Sequence, residues 1–396
     1  MVFAQTVLVL PVVIALTRQL IERAEGQQGE GLRAMGAGTA VRGVLLAWNE
    51  RFALMTVVLT AFGRAVSEVG AVMIVGGNME GFTRVMTTAI ALETSKGDLP
   101  IALGLGVVLL AVVLLLNILM GVVLRRTGGS AVPDNDARVM RGGCMTLPLW
   151  TLRNVSVRLR TYATDSVALQ SVSLRIDAGE RIALVGSNGC GKSTLLRTLA
   201  GLLSVDDGGT IAQTPARHGL LAQTPHLLRL SVLNNIRLAL WLRGTPWRAS
   251  REPALRGLRA LRLDDLAMRS ATQLSVGQLQ RVALAQCLVV DPDVLLLDEP
   301  TASLDPHAKQ DVERIITDFV AEQPAAASLD RGVASLPKTV VFASHNLGQV
   351  KRLATRVLYM EGGRVLVDLP VDDFFNETLM ATQAESAHLF LRGELL

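Results

Sequence analysis

The feature that most constrains this chain is the loop Gly186-Ser-Asn-Gly-Cys-Gly-Lys-Ser193. It lies between an apolar run, Arg181-Ile-Ala-Leu-Val185, and a helix-like run, Thr194-Leu-Leu-Arg-Thr-Leu-Ala200. The loop fits G-x-x-x-x-G-K-[ST], the phosphate-binding P-loop, and strand–loop–helix is the context that pattern requires. Gly186, Gly189 and Gly191 free the backbone N–H groups to close around phosphates, and the helix N-terminus adds a favourable dipole. Ser187, Asn188, Cys190 and Thr194 complete the expected ATP-binding run. Lys192 would reach the β- and γ-phosphates, and the Ser193 hydroxyl would bind Mg²⁺.

A second motif is Asp293-Val-Leu-Leu-Leu-Asp-Glu-Pro300. Its apolar centre reads as a buried strand. The strand delivers Asp298 and Glu299 at its end. Asp298 would hold Mg²⁺, and Glu299 would orient and polarise an attacking water, as phosphoryl transfer to water requires.

With Leu274-Ser-Val-Gly-Gln-Leu-Gln-Arg281 added, the chain resembles the ATP-binding-cassette (ABC) ATPases, whose signature reads Leu-Ser-Gly-Gly-Gln. Val276 replaces the first glycine of that signature. The resemblance implies that Ser275, Gly277 and Gln278 act on ATP bound to an opposite cassette. The partner would be a second copy or another ABC subunit. Gln223 resembles the Q-loop glutamine that senses Mg²⁺. Ala302-Ser-Leu-Asp305 resembles the D-loop, and His345 the switch histidine that holds the γ-phosphate. Tyr162, 30 residues before Lys192, resembles the aromatic that stacks on adenine. The implied domain covers 149–396. It is an α/β P-loop ATPase with a helical subdomain near 228–290. Glu299, His345 and Lys192 are its expected catalytic groups, and Ser193, Gln223 and Asp298 surround Mg²⁺.

The front of the chain is different material. Hydrophobic residues make up 50% of the sequence, and the excess lies before residue 125. Ile101–Leu124 runs 24 residues without a charge, long enough for a hydrocarbon core of ~30 Å. Phe52–Gly77, interrupted by Arg64 and Glu68, and Met1–Thr17 are further candidate spans. Residues 1–126 are therefore expected to be an all-α transmembrane region of about three spans. Arg18, Arg23, Arg33, Arg42 and Arg51 fall between the first two spans, whereas only Arg84 and Lys96 separate the second and third. Arg125 and Arg126 follow the third. The positive-inside rule puts the first loop and the C-terminal domain in the cytoplasm, in a multi-pass protein of the cytoplasmic membrane. Arg64 and Glu68, four apart, share a helix face. They either pair with each other or line a polar path.

Glu30-Gly-Leu-Arg-Ala-Met-Gly36-Ala37, in the arginine-rich loop, resembles the coupling motif of ABC importer permeases. That resemblance implies a short helix, with Glu30 and Gly36 its marked positions, docking into a cleft on the ATPase. Phe62–Asn78 and Thr83–Asp98 look closest to tungstate permeases. The implied function is ATP-driven import of an oxyanion, tungstate first. Molybdate or sulfate is the alternative, as is an ATPase joined to a non-transporting permease remnant. An extracytoplasmic anion-binding protein and membrane lipid are the expected partners. Such permeases have five or six spans, so a separate N-terminal permease half is also expected.

Thr127–Asp136 is rich in turn formers, and 127–148 reads as a linker. Leu149–Arg160 alternates as an edge strand. A net charge of +4 without a dense basic and aromatic surface argues against nucleic acid. Cys144, Cys190 and Cys287 have neither metal-site nor disulfide spacing.

Overall fold

The computed structural model describes residues 2–67, 86–98, 100–101, 103–105, 148–161, 164–206, 208–302, 304–321, 336–376, 378–380 and 384–392. They fall into two compact units. One comprises Met1–Ala24 and Glu50–Met140, and the other Glu25–Asn49 and Arg141–Leu396.

Two helices of the first unit, α1 (Val2–Ala24) and α4 (Arg51–Ser67), pack on each other. The expected span Met1–Thr17 is described from Val2 onward and falls in α1, which continues seven residues further, through Arg18 and Arg23. Arg18 is stabilised one turn on by Glu22, at 2.7 Å. Leu10 and Ile14 of α1 and Phe52, Met55, Val58 and Leu59 of α4 turn outward. Thr56 and Thr60 return their hydroxyls to the carbonyls of Phe52 and Thr56, so these polar groups are satisfied inside the helix. No single helix among the described residues is long and apolar enough to cross a membrane. The consecutive pair Thr39–Asn49 and Arg51–Ala61 passes only when taken together. The span Phe52–Gly77 is described as far as Ser67, with Arg64 on α4 and Glu68 outside the described residues. Most of Ile101–Leu124 and the linker through 147 also lie outside them. A further helix, α5, covers Met86–Lys96.

The second unit begins with a π-turn, Glu25–Gly29, followed by α2 (Glu30–Ala34) and α3 (Thr39–Asn49). Its strands form two sheets. β1 (Pro148–Thr161), β2 (Thr164–Asp177) and β4 (Thr210–Gln213) make an antiparallel sheet in the order β2-β1-β4. The expected edge strand is therefore central. The alternation in β1 reflects one buried face, since Leu152, Val155 and Val157 enter the core, while both edges are hydrogen-bonded.

The main sheet contains β3 (Arg181–Val185), β5 (His218–Leu221), β6 (Val294–Asp298), β7 (Thr339–Ala343), β8 (Arg356–Glu361) and β9 (Arg364–Pro370). Its order is β5-β6-β7-β3-β8-β9, parallel except for β9. β6 and β7 are buried along their whole length, as continuous apolar runs in a parallel sheet should be. Helices α6 (Lys192–Leu199), α10 (Pro306–Ala321) and α11 (Leu347–Leu353) accompany this sheet. A separate apolar cluster joins α7 (Val232–Leu242), α8 (Arg251–Ala260) and α9 (Val276–Leu288) into the expected helical subdomain. Register pairs Leu184 with Ala343, and Ala343 with Asp298. The residues that follow β3, β6 and β7 thus emerge at one carboxyl edge, where open α/β sheets build their sites.

A candidate nucleotide site and the segment docked beside it

Local sequence dictates the loop after β3. Gly186, Gly189 and Gly191 have φ of 142°, 78° and 107°, outside ordinary L-residue space. A Cβ on Gly186 would lie 2.1 Å from the Met360 carbonyl oxygen, and one on Gly191 2.7 Å from that of Ala168. Lys192 is buried. Its Nζ donates to the carbonyls of Gly186 and Ser187, both at 2.8 Å, and lies 3.6 Å from Cys190 Sγ. The ammonium is thereby held within the curve of the loop, at the N-terminus of α6.

Asp298 ends β6 and is buried. Burial raises its pKa. The hydrogen bond from Ser193 opposes that shift, Glu299 reinforces it, and Arg197 and Lys192 oppose it. A hydroxyl and a carboxylate side by side form a hard-oxygen donor set of the kind Mg²⁺ takes when phosphates supply further ligands. The residues present therefore fit Mg²⁺ and a nucleotide polyphosphate. Ser193 and Asp298 would hold the ion, and the P-loop amides and Lys192 the phosphates.

Glu299 has φ of 50°, a left-handed conformation that costs a non-glycine residue on the order of 1–3 kcal/mol. Several contacts hold it there. Its N–H donates to Ala343 O at 3.1 Å, its carbonyl accepts from Gln280 Nε2 at 2.8 Å, and its Oε1 meets His345 Nε2 at 3.0 Å. Behind His345, Ser344 Oγ donates to Gln349 Oε1 at 2.7 Å, fixing the turn into α11.

The structure thus gathers Gly186–Thr194, Asp298, Glu299 and His345 at one edge. Ser275 caps α9, closing a capping box with Gln278, while Gly277 lies in the first turn and Val276 points outward. Gln223 is exposed in the loop after β5. Asp305 caps α10, accepting from the N–H groups of His307 and Ala308 at 3.0 Å. Tyr162, Ser303 and Cys144 lie outside the described residues.

Glu30 and Gly36 lie on the segment Glu25–Asn49, which packs on the P-loop domain within the same unit. Glu30 Oε2 is 3.3 Å from Arg197 Nε on α6. Leu32 and Leu46 are fully buried. Arg243 Nη2 reaches Ala34 O at 3.4 Å and His218 O at 3.0 Å. Asn49, 3% exposed, accepts from the Arg229 N–H at 2.7 Å and donates to Gln28 Oε1 at 3.1 Å. Glu25 is clasped by Arg33 at 2.7 Å and Arg42 at 2.9 Å. Gly36, at φ of 90°, reverses the chain between α2 and α3. A cavity of about 190 Å³ remains beside the segment, lined in part by Glu30, Ala34, Arg197, His218, Arg243 and Cys287. Burial, reinforced by Arg243, lowers the His218 pKa, and burial pushes the Cys287 thiol up to about 12.

Sequence reasoning missed Arg197, Gln280 and Asn49. Only Gln280 left a signal, as a polar residue on a helix stripe whose neighbours Val282, Ala283, Leu284 and Ala285 are buried.

Comparison with known proteins gives a consistent picture. The family model described as "ABC transporter" matches residues 169–302. A phosphate import ATP-binding protein, PstB 2 of Natronomonas pharaonis, is 34% identical over 292 residues, covering 67% of this chain and 94% of that protein. The tungstate uptake system ATP-binding protein TupC of Peptoclostridium acidaminophilum is 32% identical over 218 residues, covering 53% and 95%. The molybdenum import ATP-binding protein ModC of Mycobacterium tuberculosis is 37% identical over 222 residues, covering 51% and 57%.

Proposed function

Because this chain belongs to the ABC transporter family and carries an ABC ATPase domain, we propose that it powers import of an oxyanion, tungstate, through membrane helices formed in part by residues 1–126. Glu299 polarises the attacking water. His345 steadies the Glu299 carboxylate and the γ-phosphate, Lys192 offsets phosphate charge, and Ser193 and Asp298 hold Mg²⁺. Ser275, Gly277 and Gln278 serve the ATP of a second cassette, and the exposed N-terminus of α9 leaves them accessible to one.

One observation carries the transport reading. The segment Glu25–Asn49 is folded onto the ATPase domain, with Glu30 on Arg197, five residues after Lys192 on the P-loop helix. Motion of α6 would thus be felt by α2. The outward apolar faces of α1 and α4, with their back-bonded threonines, support a lipid setting. The choice of tungstate rests on the permease-like residues Phe62–Asn78 and Thr83–Asp98.

A charge exchange tests the coupling. Glu30→Arg should lower tungstate-stimulated hydrolysis in vesicles and leave basal hydrolysis in place. Adding Arg197→Glu should restore part of the stimulation. Full stimulation in Glu30→Arg alone would instead leave an ATPase attached to a non-transporting remnant.

A further inference from the structure

We infer that Gln280 is a positioning residue for hydrolysis, tying the backbone of Glu299 to the signature helix of its own chain. The inference rests on the reading of Glu299 as the group that polarises water.

Gln280 lies on α9, two residues beyond the capping box that Ser275 and Gln278 close. It is 2% exposed. Its Nε2 donates to the Glu299 carbonyl at 2.8 Å, whereas its buried Oε1 has no partner among the described residues. The amide orientation follows from chemistry, because only the NH₂ end can face a carbonyl oxygen. The same carbonyl also accepts the Ala302 N–H, at 3.3 Å, through the local turn. Gln280 makes the shorter contact and is the one that comes from another element.

Two arguments turn this contact into a function. First, Glu299 occupies a left-handed backbone conformation, with φ of 50°, which a glutamate does not hold unaided. Its N–H is anchored on β7 and its carboxylate on His345, so the carbonyl is the remaining handle on the peptide plane. Without that contact the residue is free to relax out of the left-handed region, and the change in φ carries the Cα–Cβ bond, and the carboxylate with it. Second, stability alone does not account for a glutamine here. A half-satisfied amide among buried apolar neighbours costs desolvation that Leu or Met would avoid. The contact runs from the helix that begins with Ser275 to the residue that follows Asp298. Movement of the helical subdomain is therefore transmitted to the hydrolytic carboxylate of the same chain, and not only to ATP on a partner.

The test uses the full chain. Gln280→Met keeps the length and removes the donor, and Gln280→Glu sets an acceptor against the carbonyl. Both should lower kcat about 10- to 100-fold, the range expected for a misplacement near 1 Å. Affinity for a fluorescent ATP analogue should be unchanged. Glu299→Gln is measured first, in single turnovers, and adding Gln280→Met to it should bring no further loss, because Gln280 acts only through Glu299. An unchanged kcat in both Gln280 variants would overturn the proposal. So would a loss that multiplies with that of Glu299→Gln, or a fall in kcat matched by equal falls in nucleotide affinity and melting temperature. Full turnover by Glu299→Gln alone would instead overturn the role of Glu299, and the positioning role with it.

Discussion

Replacing Asn49 with leucine should undock the segment Glu25–Asn49 far more than neutralising Glu30 does. Asn49 is buried; it accepts a hydrogen bond from the Arg229 N–H at 2.7 Å and donates one to Gln28 Oε1 at 3.1 Å. Leucine removes the acceptor used by one group and the donor used by the other. Each buried group deprived of its partner costs about 1–3 kcal/mol, so docking should weaken by about 2–4 kcal/mol after partial relaxation. The Glu30–Arg197 pair is longer, at 3.3 Å, and its side chains are 44% and 36% exposed. Solvent screening holds such a pair below about 1 kcal/mol. Hydrogen exchange reads the difference. The Gly36 and Ala37 amides donate to Arg33 O and Leu32 O, both at 2.9 Å, and exchange when the segment opens. At about 1.4 kcal/mol per tenfold, Asn49→Leu should speed them about 30- to 700-fold, and Glu30→Gln at most about fivefold. Equal acceleration in the two variants, or less than about tenfold in Asn49→Leu, would refute the assignment of docking strength to the buried amide.

Gly186→Ala should abolish ATP-analogue binding, because the added methyl meets the Met360 carbonyl at 2.1 Å, in backbone that alanine rarely adopts; a fluorescence titration checks it. Asp298→Asn should leave the nucleotide-free protein as stable or more stable in a thermal melt, while Mg²⁺ ceases to improve ATP binding. The sign follows from its raised pKa: the proton is held more tightly folded than unfolded, so this carboxylate supports the fold below the ordinary carboxylate range and opposes it as pH rises through the raised value. Cys287, with its thiol pushed up to about 12, should resist iodoacetamide at pH 8 until the chain is denatured, because only ~10⁻⁴ of it is thiolate there, as peptide mass mapping would show.

The ATPase domain was legible because its chemistry is local in sequence. The P-loop, the Asp298–Glu299 strand end and the capped turn at Ser275 each carry their reason within eight residues. β1 was placed at an edge because alternation reports which face is buried and not how many neighbours a strand has. The contacts that assemble the site across sequence were not legible. Gln280 and Glu299 are 19 apart, and Asn49 and Arg229 are 180 apart. Nothing in one sequence says that an asparagine closing a helix near residue 50 will satisfy a backbone amide in the helical subdomain. The docked position of Glu30 was anticipated only through the coupling-motif resemblance, and its partner Arg197 was not.

The most direct measurement is ATP hydrolysis by the full chain in lipid vesicles, supplied with a tungstate-binding protein and the N-terminal permease half, in the presence of tungstate, molybdate or sulfate. Stimulation by tungstate above the other two, weakened in Glu30→Arg, is the expected result. Basal hydrolysis that none of the three anions alters would contradict coupling of this ATPase to anion import.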